Sequence, residues 1–95
     1  MKFRRGFFNT FKSDAGFSVK DRSIRGFVEY REGDRRAIVS VDNDFIQRRA
    51  YLSRGTVIKW NPPYDTEVIS EEKRQEILKN IIEALLFSGG PIEIV

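Results

Sequence analysis

The sequence predicts an α+β domain: an antiparallel sheet of about four to five strands, one long C-terminal helix packed across one face, and a short final strand. Three observations carry that reading. Residues 70–87 hold one apolar stripe at helical spacing. Residues 17–42 alternate apolar and polar side chains, as half-buried strands do. Between them, Gly55-Thr56-Val57-Ile58-Lys59-Trp60 reads as a strand that meets the rigid corner Asn61-Pro62-Pro63-Tyr64-Asp65. A lone helix with a single apolar stripe needs a sheet to cover, and the strands supply one.

Along the chain, residues 1–16 come first. They interleave Phe3, Phe7, Phe8 and Phe11 with Arg4, Arg5 and Lys12, and Asn9-Thr10 and Ser13-Asp14-Ala15-Gly16 are turn material. This basic, aromatic segment is read as an arm or an edge strand, ahead of a single α+β domain over residues 17–95. Phe17-Ser18-Val19-Lys20 is a short strand. From Ile24 to Arg31 the pattern puts Ile24, Gly26, Val28 and Tyr30 on one face and Arg25, Phe27, Glu29 and Arg31 on the other. Arg36 to Asp42 alternates again, with Ala37, Val39 and Val41 opposite Ile38 and Ser40. Glu32-Gly33-Asp34 joins the two as a hairpin, since Gly33 can take positive φ.

Asp42-Asn43-Asp44 predicts a turn, because Asp and Asn side chains bond to nearby backbone N–H groups. Phe45 to Ser53 leaves strand and irregular link both open, with Arg48-Arg49 solvated. Arg54-Gly55 reads as a turn. Thr56 to Trp60 is rich in β-branched and aromatic residues and reads as a strand. Pro62-Pro63 stops it, because proline offers no ladder donor.

The helix follows. Ser70 is a good N-cap, and Glu71 and Glu72 sit where the helix dipole favours negative charge. Ile77, Leu78, Ile81, Ile82, Leu85 and Leu86 form the buried stripe. Lys73, Arg74, Glu76, Lys79, Asn80 and Glu83 form the wet face. Gly89-Gly90 supplies a left-handed cap, Pro91 prevents continuation, and residues 91–95 form the last short strand.

Composition narrows the chemistry. The 95 residues make one domain, and 40% hydrophobic with 33% charged residues suits a globular protein with one core. No apolar run approaches the roughly 18 residues needed to span a bilayer, so no membrane partner is expected. The basic start at Met1 lacks the long apolar stretch of a secretory signal. Cysteine and histidine are both absent. That removes disulfides, zinc sites built on thiolate or imidazole, and Ser-His or Cys-His nucleophile pairs. No cofactor, metal or catalytic residue is expected. The net charge of +3 is uneven: residues 1–36 carry ten Lys/Arg against five Asp/Glu, and residues 37–95 carry seven against nine. A basic first third attached to a mildly acidic remainder suggests an anionic partner or a steering field.

Three groups of residues can be read either as chemistry or as structure. Trp60 and Tyr64 flank a proline corner, and ordered aromatics are good binding anchors. The plainer reading makes Trp60 core and Asp65 a partner of its own loop. The Phe/Arg segment can stack on bases and neutralise phosphates through Arg4, Arg5 and Lys12. The plainer reading has its phenylalanines completing the core while arginines face water. Asp42, Asp44, Asp65 and Glu67 are a carboxylate set that could hold a cation. Asp42-Asn43-Asp44 lacks the Gly and distal Glu of a calcium loop, which favours a turn.

Tyr30-Arg31-Glu32-Gly33-Asp34-Arg35-Arg36, then Trp60-Asn61-Pro62-Pro63-Tyr64-Asp65, then Ile69-Ser70 and Ile77-Leu78-Lys79-Asn80-Ile81 resemble a family of bacterial immunity proteins, immunity protein 74, associated with polymorphic toxin systems. The resemblance covers about residues 17–95, closing with Gly90 and Glu93-Ile94-Val95. It implies a non-enzymatic cytoplasmic protein that binds and neutralises a cognate toxin domain. The alternative is a small basic nucleic-acid-binding module using the Phe/Arg segment. Inhibitors of nucleases often present acidic surfaces, and this chain is basic overall. Either the toxin surface is acidic, or binding uses the acidic C-terminal part, or the toxin is no nuclease. By exposure and side-chain type, the expected contact residues are Tyr64, Asp65, Arg48, Arg49 and Tyr51.

Overall fold

The computed structural model describes residues 2–44, 46, 49–53, 55–89 and 92–94. Five strands form an antiparallel meander: β1 (Phe3–Arg5), β2 (Thr10–Ser13), β3 (Phe17–Arg22), β4 (Phe27–Glu32) and β5 (Arg35–Ser40), each hydrogen-bonded to the next in sequence. A second, three-stranded sheet holds β6 (Asp42–Asp44), β7 (Arg49–Leu52) and β8 (Ile92–Ile94). In it β6 runs antiparallel to β7, and β8 runs parallel to β7. One helix, α1 (Glu71–Phe87), completes the fold. None of the described helices is long and apolar enough to cross a membrane.

The β4–β5 hairpin forms as expected. Its two-residue turn is Gly33-Asp34, Gly33 has φ of 58°, and Glu32 pairs with Arg35. That register fixes which side chains share a face. Phe11, Val19, Tyr30 and Ala37 form one cross-strand row, and all four are buried. Val28 and Val39 continue the same side, and α1 lies against it through Ile77, Leu78, Ile81, Ala84 and Leu85.

The helix is capped at both ends. The Ser70 hydroxyl accepts the Lys73 backbone N–H at 3.1 Å, and Glu71 and Glu72 occupy the first turn. Past Ser88, Gly89 has φ of 89° and its N–H bonds the Leu86 carbonyl. Gly90, Pro91 and Val95, also assigned roles from the sequence, lie outside the described residues.

Several expectations are corrected. Thr56–Trp60 is not a strand: only Trp60 pairs, through a single bridge to Ala37 on the edge of β5. Val57 is 86% exposed, and the Thr56 carbonyl accepts from the Arg74 guanidinium rather than from a neighbouring strand. Ile24 leaves the predicted strand. Ser23–Arg25 is a 3-10 turn, entered through the Asp21 carboxylate accepting the Ser23 N–H at 2.8 Å, and β4 begins only at Phe27. Asp42–Asp44 pairs as a strand because β7 offers it a ladder. Two helix positions exchange roles: Asn80 is buried and Leu86 is 55% exposed.

Residues 3–5 and 10–13 add the outer two strands of the meander. Aromatic rings tie them to the core: Phe87 lies 5.5 Å from Phe3 and 6.1 Å from Phe11, and Phe3 lies 5.8 Å from Phe17. Phe17 stacks on Tyr30, which stacks on Trp60 at 6.4 Å between centroids. Trp60 is thus core, as the plainer reading had it.

Candidate functional site

The same alternation that buries Phe11, Val19, Tyr30 and Ala37 turns their sequence neighbours to the other face. Arg4 pairs with Lys12, Lys12 with Ser18, Ser18 with Arg31, and Arg31 with Arg36. One residue from every strand therefore stands in a single row across the uncovered side of the sheet, and four of the five are cationic. Arg4, Lys12, Arg31 and Arg36 are all exposed. Among the described residues, Arg4, Lys12 and Arg36 have no side-chain hydrogen bond or ion pair, and Arg31 donates only to the Gly33 carbonyl. With strands about 4.8 Å apart, the row spans about 19 Å. Two shallow grooves run along it. One, of about 390 Å³, is bordered by Arg4, Lys12, Ser18 and Arg31; the other, of about 200 Å³, by Ser18, Lys20, Glu29 and Arg36.

The β1–β2 turn stands at the rim of this face. Thr10 N–H bonds the Phe7 carbonyl at 3.2 Å, and the two central residues, Phe8 and Asn9, have φ of 56° and 57°. That is the backbone of a type I′ turn, which normally selects Asn and Gly. A bulky aromatic in the left-handed region is strained. Phe7 and Phe8 are 86% and 77% exposed, and the Lys20 ammonium lies 5.8 Å from the centre of the Phe8 ring.

The corner at 61–67 is differently disposed. The Pro62–Pro63 peptide is cis, the Asn61 N–H bonds the Arg36 carbonyl, and the Tyr64 N–H bonds the Asn61 carbonyl. The Tyr64 hydroxyl donates to Asp34, the Arg35 guanidinium lies 4.3 Å from the centre of the Tyr64 ring, and Arg35 forms a bidentate pair with Glu67 at 2.6 and 2.7 Å. Hydrogen bonding to Tyr64 holds the Asp34 carboxyl below its usual range, and Arg35 does the same for Glu67. These groups satisfy one another and fasten the loop to the β4–β5 turn.

The expected contact residues are scattered. Tyr64 has its ring and hydroxyl engaged in this clamp. Asp65 is half-buried nearby and makes no side-chain hydrogen bond or ion pair among the described residues. Arg49 and Tyr51 stand on β7, on the second sheet, where Arg49 pairs with Glu93 at 2.6 Å and Tyr51 lies opposite Glu93 in the ladder. Arg48 lies outside the described residues. The carboxylates Asp42, Asp44, Asp65 and Glu67 do not converge: no group of three or more metal-capable side chains stands together among the described residues. Of the basic row, only Arg4 and Lys12 were weighed as binding residues from the sequence. Arg31 and Arg36 could have been joined to each other through the two-residue turn, which dictates their pairing.

A family model described as immunity protein 74 matches residues 24–95. The chain belongs to the immunity protein 74 family. The match takes in Arg31 and Arg36 of the basic row, the 61–67 clamp and the whole of α1, and it leaves the β1–β2 hairpin with Arg4, Lys12, Phe7 and Phe8 outside. No match was found among curated proteins or solved structures.

Proposed function

We propose that this protein neutralises a toxin domain by binding it, and that it acts through the shape and charge of its surface, without making or breaking bonds. Membership of the immunity protein 74 family, over residues 24–95, carries the reading. The residue chemistry agrees with it. The chain lacks the cysteine and histidine on which most nucleophile–base pairs and zinc centres are built. The ionisable groups around the groove between the β4–β5 turn and the start of α1 are paired among themselves: Lys73 with Glu32 and Glu76, Arg35 with Glu67. In this reading the protein is bacterial, acts in the cytoplasm of the toxin-producing cell, and belongs to a polymorphic toxin system.

Co-expression tests it. The full chain and the toxin domain encoded by the adjoining gene are placed in one host. Restored growth and recovery of a stable complex are the expected results. Unrelieved toxicity together with no complex overturns the proposal.

A further inference from the structure

We infer that the uncovered face of the five-stranded sheet, with the Phe7-Phe8 turn at its rim, is the docking surface, and that it receives a carboxylate-rich patch of the toxin protein. The inference rests on the function proposed above and gives it a location and a chemistry.

Charge comes first. Arg4, Lys12, Arg31 and Arg36 stand in one row, exposed, with no carboxylate partner among the described residues. Some other cations of this protein are held in ion pairs, Arg35 with Glu67, Arg49 with Glu93, Arg74 with Glu71, Lys73 with Glu32 and, beside the row on the same face, Lys20 with Glu29 at 3.9 Å; the row itself is not. Two directly facing pairs of like charge, Arg4 with Lys12 and Arg31 with Arg36, repel across their strands and weaken the fold. An acidic partner removes that repulsion, steers the encounter and fixes orientation.

The turn supplies the apolar half. Phe8 adopts a left-handed backbone conformation that strains a bulky residue, and its side chain is largely exposed. Within the fold the Phe8 ring meets only the Lys20 ammonium and the neighbouring Phe7 ring, so most of it stays free to meet a partner. A rigid, exposed pair of phenylalanines beside a charged row has the make-up of a hot spot in which an aromatic anchor fills a pocket and charges surround it. The Lys20 contact sets the Phe8 ring on the same side of the sheet as the row.

Carboxylates are favoured over nucleic acid as the occupant. Sheets that read single strands place exposed aromatic rings on the face itself for bases to stack on. In this sheet the row holds arginine, lysine and serine, Phe11, Phe17 and Tyr30 are turned to the buried side, and Phe27, at the end of the open face beside Arg22 and Ser40, is half-buried.

The experiment measures affinity for a catalytically inactivated toxin domain encoded by the adjoining gene. Arg31→Glu/Arg36→Glu is expected to weaken binding on the order of 100-fold, and unmodified protein to lose affinity as salt rises. Phe8→Gly relieves the turn, so it should melt no lower than the parent, yet bind at least about tenfold more weakly. Lys79→Glu, on the exposed side of α1, should bind as the parent does. Thermal melts confirm that each variant is folded. Parent-like affinity in both the charge-reversed and Phe8→Gly proteins overturns the assigned face while leaving toxin binding intact. A single-stranded RNA or a DNA duplex that binds the parent more tightly than the toxin does, and is released by Arg31→Glu/Arg36→Glu, overturns the choice of a protein carboxylate surface. Failure of the unmodified protein to bind the toxin overturns the proposed function and this inference with it.

Discussion

The side-chain amide of Asn80 donates a 3.0 Å hydrogen bond to the Tyr30 hydroxyl, joining the buried face of the helix to the centre of the sheet. Tyr30 in turn donates to Glu32, and Glu32 accepts the Lys73 ammonium at 2.8 Å. The network runs from a fully buried phenol to the surface and leaves no buried side-chain polar atom unpaired among the described residues. Such a connection fixes the position of the helix along the sheet, which apolar contacts alone do loosely.

Tyr30→Phe should therefore cost about 1–3 kcal/mol, because the Asn80 amide loses its acceptor in a buried place. The melting temperature should fall by about 4–8 °C for each kcal/mol lost. Alkali gives a second reading. Burial, and then the hydrogen bond to Glu32, push the Tyr30 pKa well above the ordinary tyrosine value of 10.0. The folded state thus holds the proton more tightly than the unfolded state. That stabilisation is complete below about pH 10 and is lost as pH rises beyond it. Tyr64, raised by its bond to Asp34, acts in the same direction. Melts taken from neutral to strongly alkaline pH should show the parent losing stability above about pH 10, and Tyr30→Phe losing less.

The helix stripe offers a paired comparison. Ile81 is fully buried and Leu86 is 55% exposed. Ile81→Asp removes about 2 kcal/mol of apolar burial and adds a buried charge costing several kcal/mol more. Together these approach the whole stability of a small domain, about 5–15 kcal/mol, so the variant should be unfolded by circular dichroism. Leu86→Asp should stay within about 0.5 kcal/mol of the parent. An unfolded Leu86→Asp protein would contradict the observed helix orientation.

Most of the helix was legible because its signals are local: the Ser70 cap, the acidic first turn and the four-residue spacing act within one segment. Asn80 was misplaced on account of its polarity. Its position, three residues after Ile77 and four before Ala84, already put it in the stripe. Leu86 was misplaced the other way: nine residues from Ile77 is about two and a half turns, which carries it round to the far side. Thr56–Trp60 has the composition of a strand, but a ladder needs a partner, and β5 offers one pairing position, at Ala37. Asp42–Asp44 is the converse, a polar triplet made into a strand by β7. The basic row could be read only in part. The Gly33-Asp34 turn dictates that Arg31 faces Arg36, whereas Arg4 and Lys12 join them through a hairpin whose turn has Asn9 as its signal but Phe8 beside it, where a bulky aromatic hides the two-residue loop and its register.

Acid should loosen the helix start and the 61–67 loop. Hydrogen bonds from Arg74 and then Gln75 lower the Glu71 pKa from 4.5 to about 2, and Arg35 and Tyr64 lower Glu67 and Asp34. Each carboxylate holds its proton less tightly when the chain is folded. The contribution is therefore present above about pH 4.5 and is lost as pH falls toward about 2. All three groups are well exposed, so the effect is modest and salt reduces it. Melting temperature against pH should drop through this window in the parent, and more gently in Glu71→Gln.

Tyr64 was expected to touch the partner, and its surroundings point to a different task. Its hydroxyl is given to Asp34, its ring face to Arg35, and its backbone carbonyl to the Glu67 N–H at 3.0 Å. Glu67 then closes on Arg35. A side chain so committed has to break contacts within its own chain before it can make others, which limits what it adds to binding. Tyr64→Phe keeps the ring on Arg35 and removes only the bond to Asp34, so its melting temperature should change little. Tyr64→Ala removes ring and hydroxyl together, uncovers Arg35, and should speed amide exchange at Glu67, bonded within the loop, and at Asn61, where the loop is tied to the sheet. Its affinity for the toxin domain should nonetheless fall far less than that of Arg31→Glu/Arg36→Glu. The reverse order, with Tyr64→Ala abolishing binding while amide exchange in the loop stays as in the parent, would return Tyr64 to the contact surface and move the docking site from the open sheet face to the 61–67 corner.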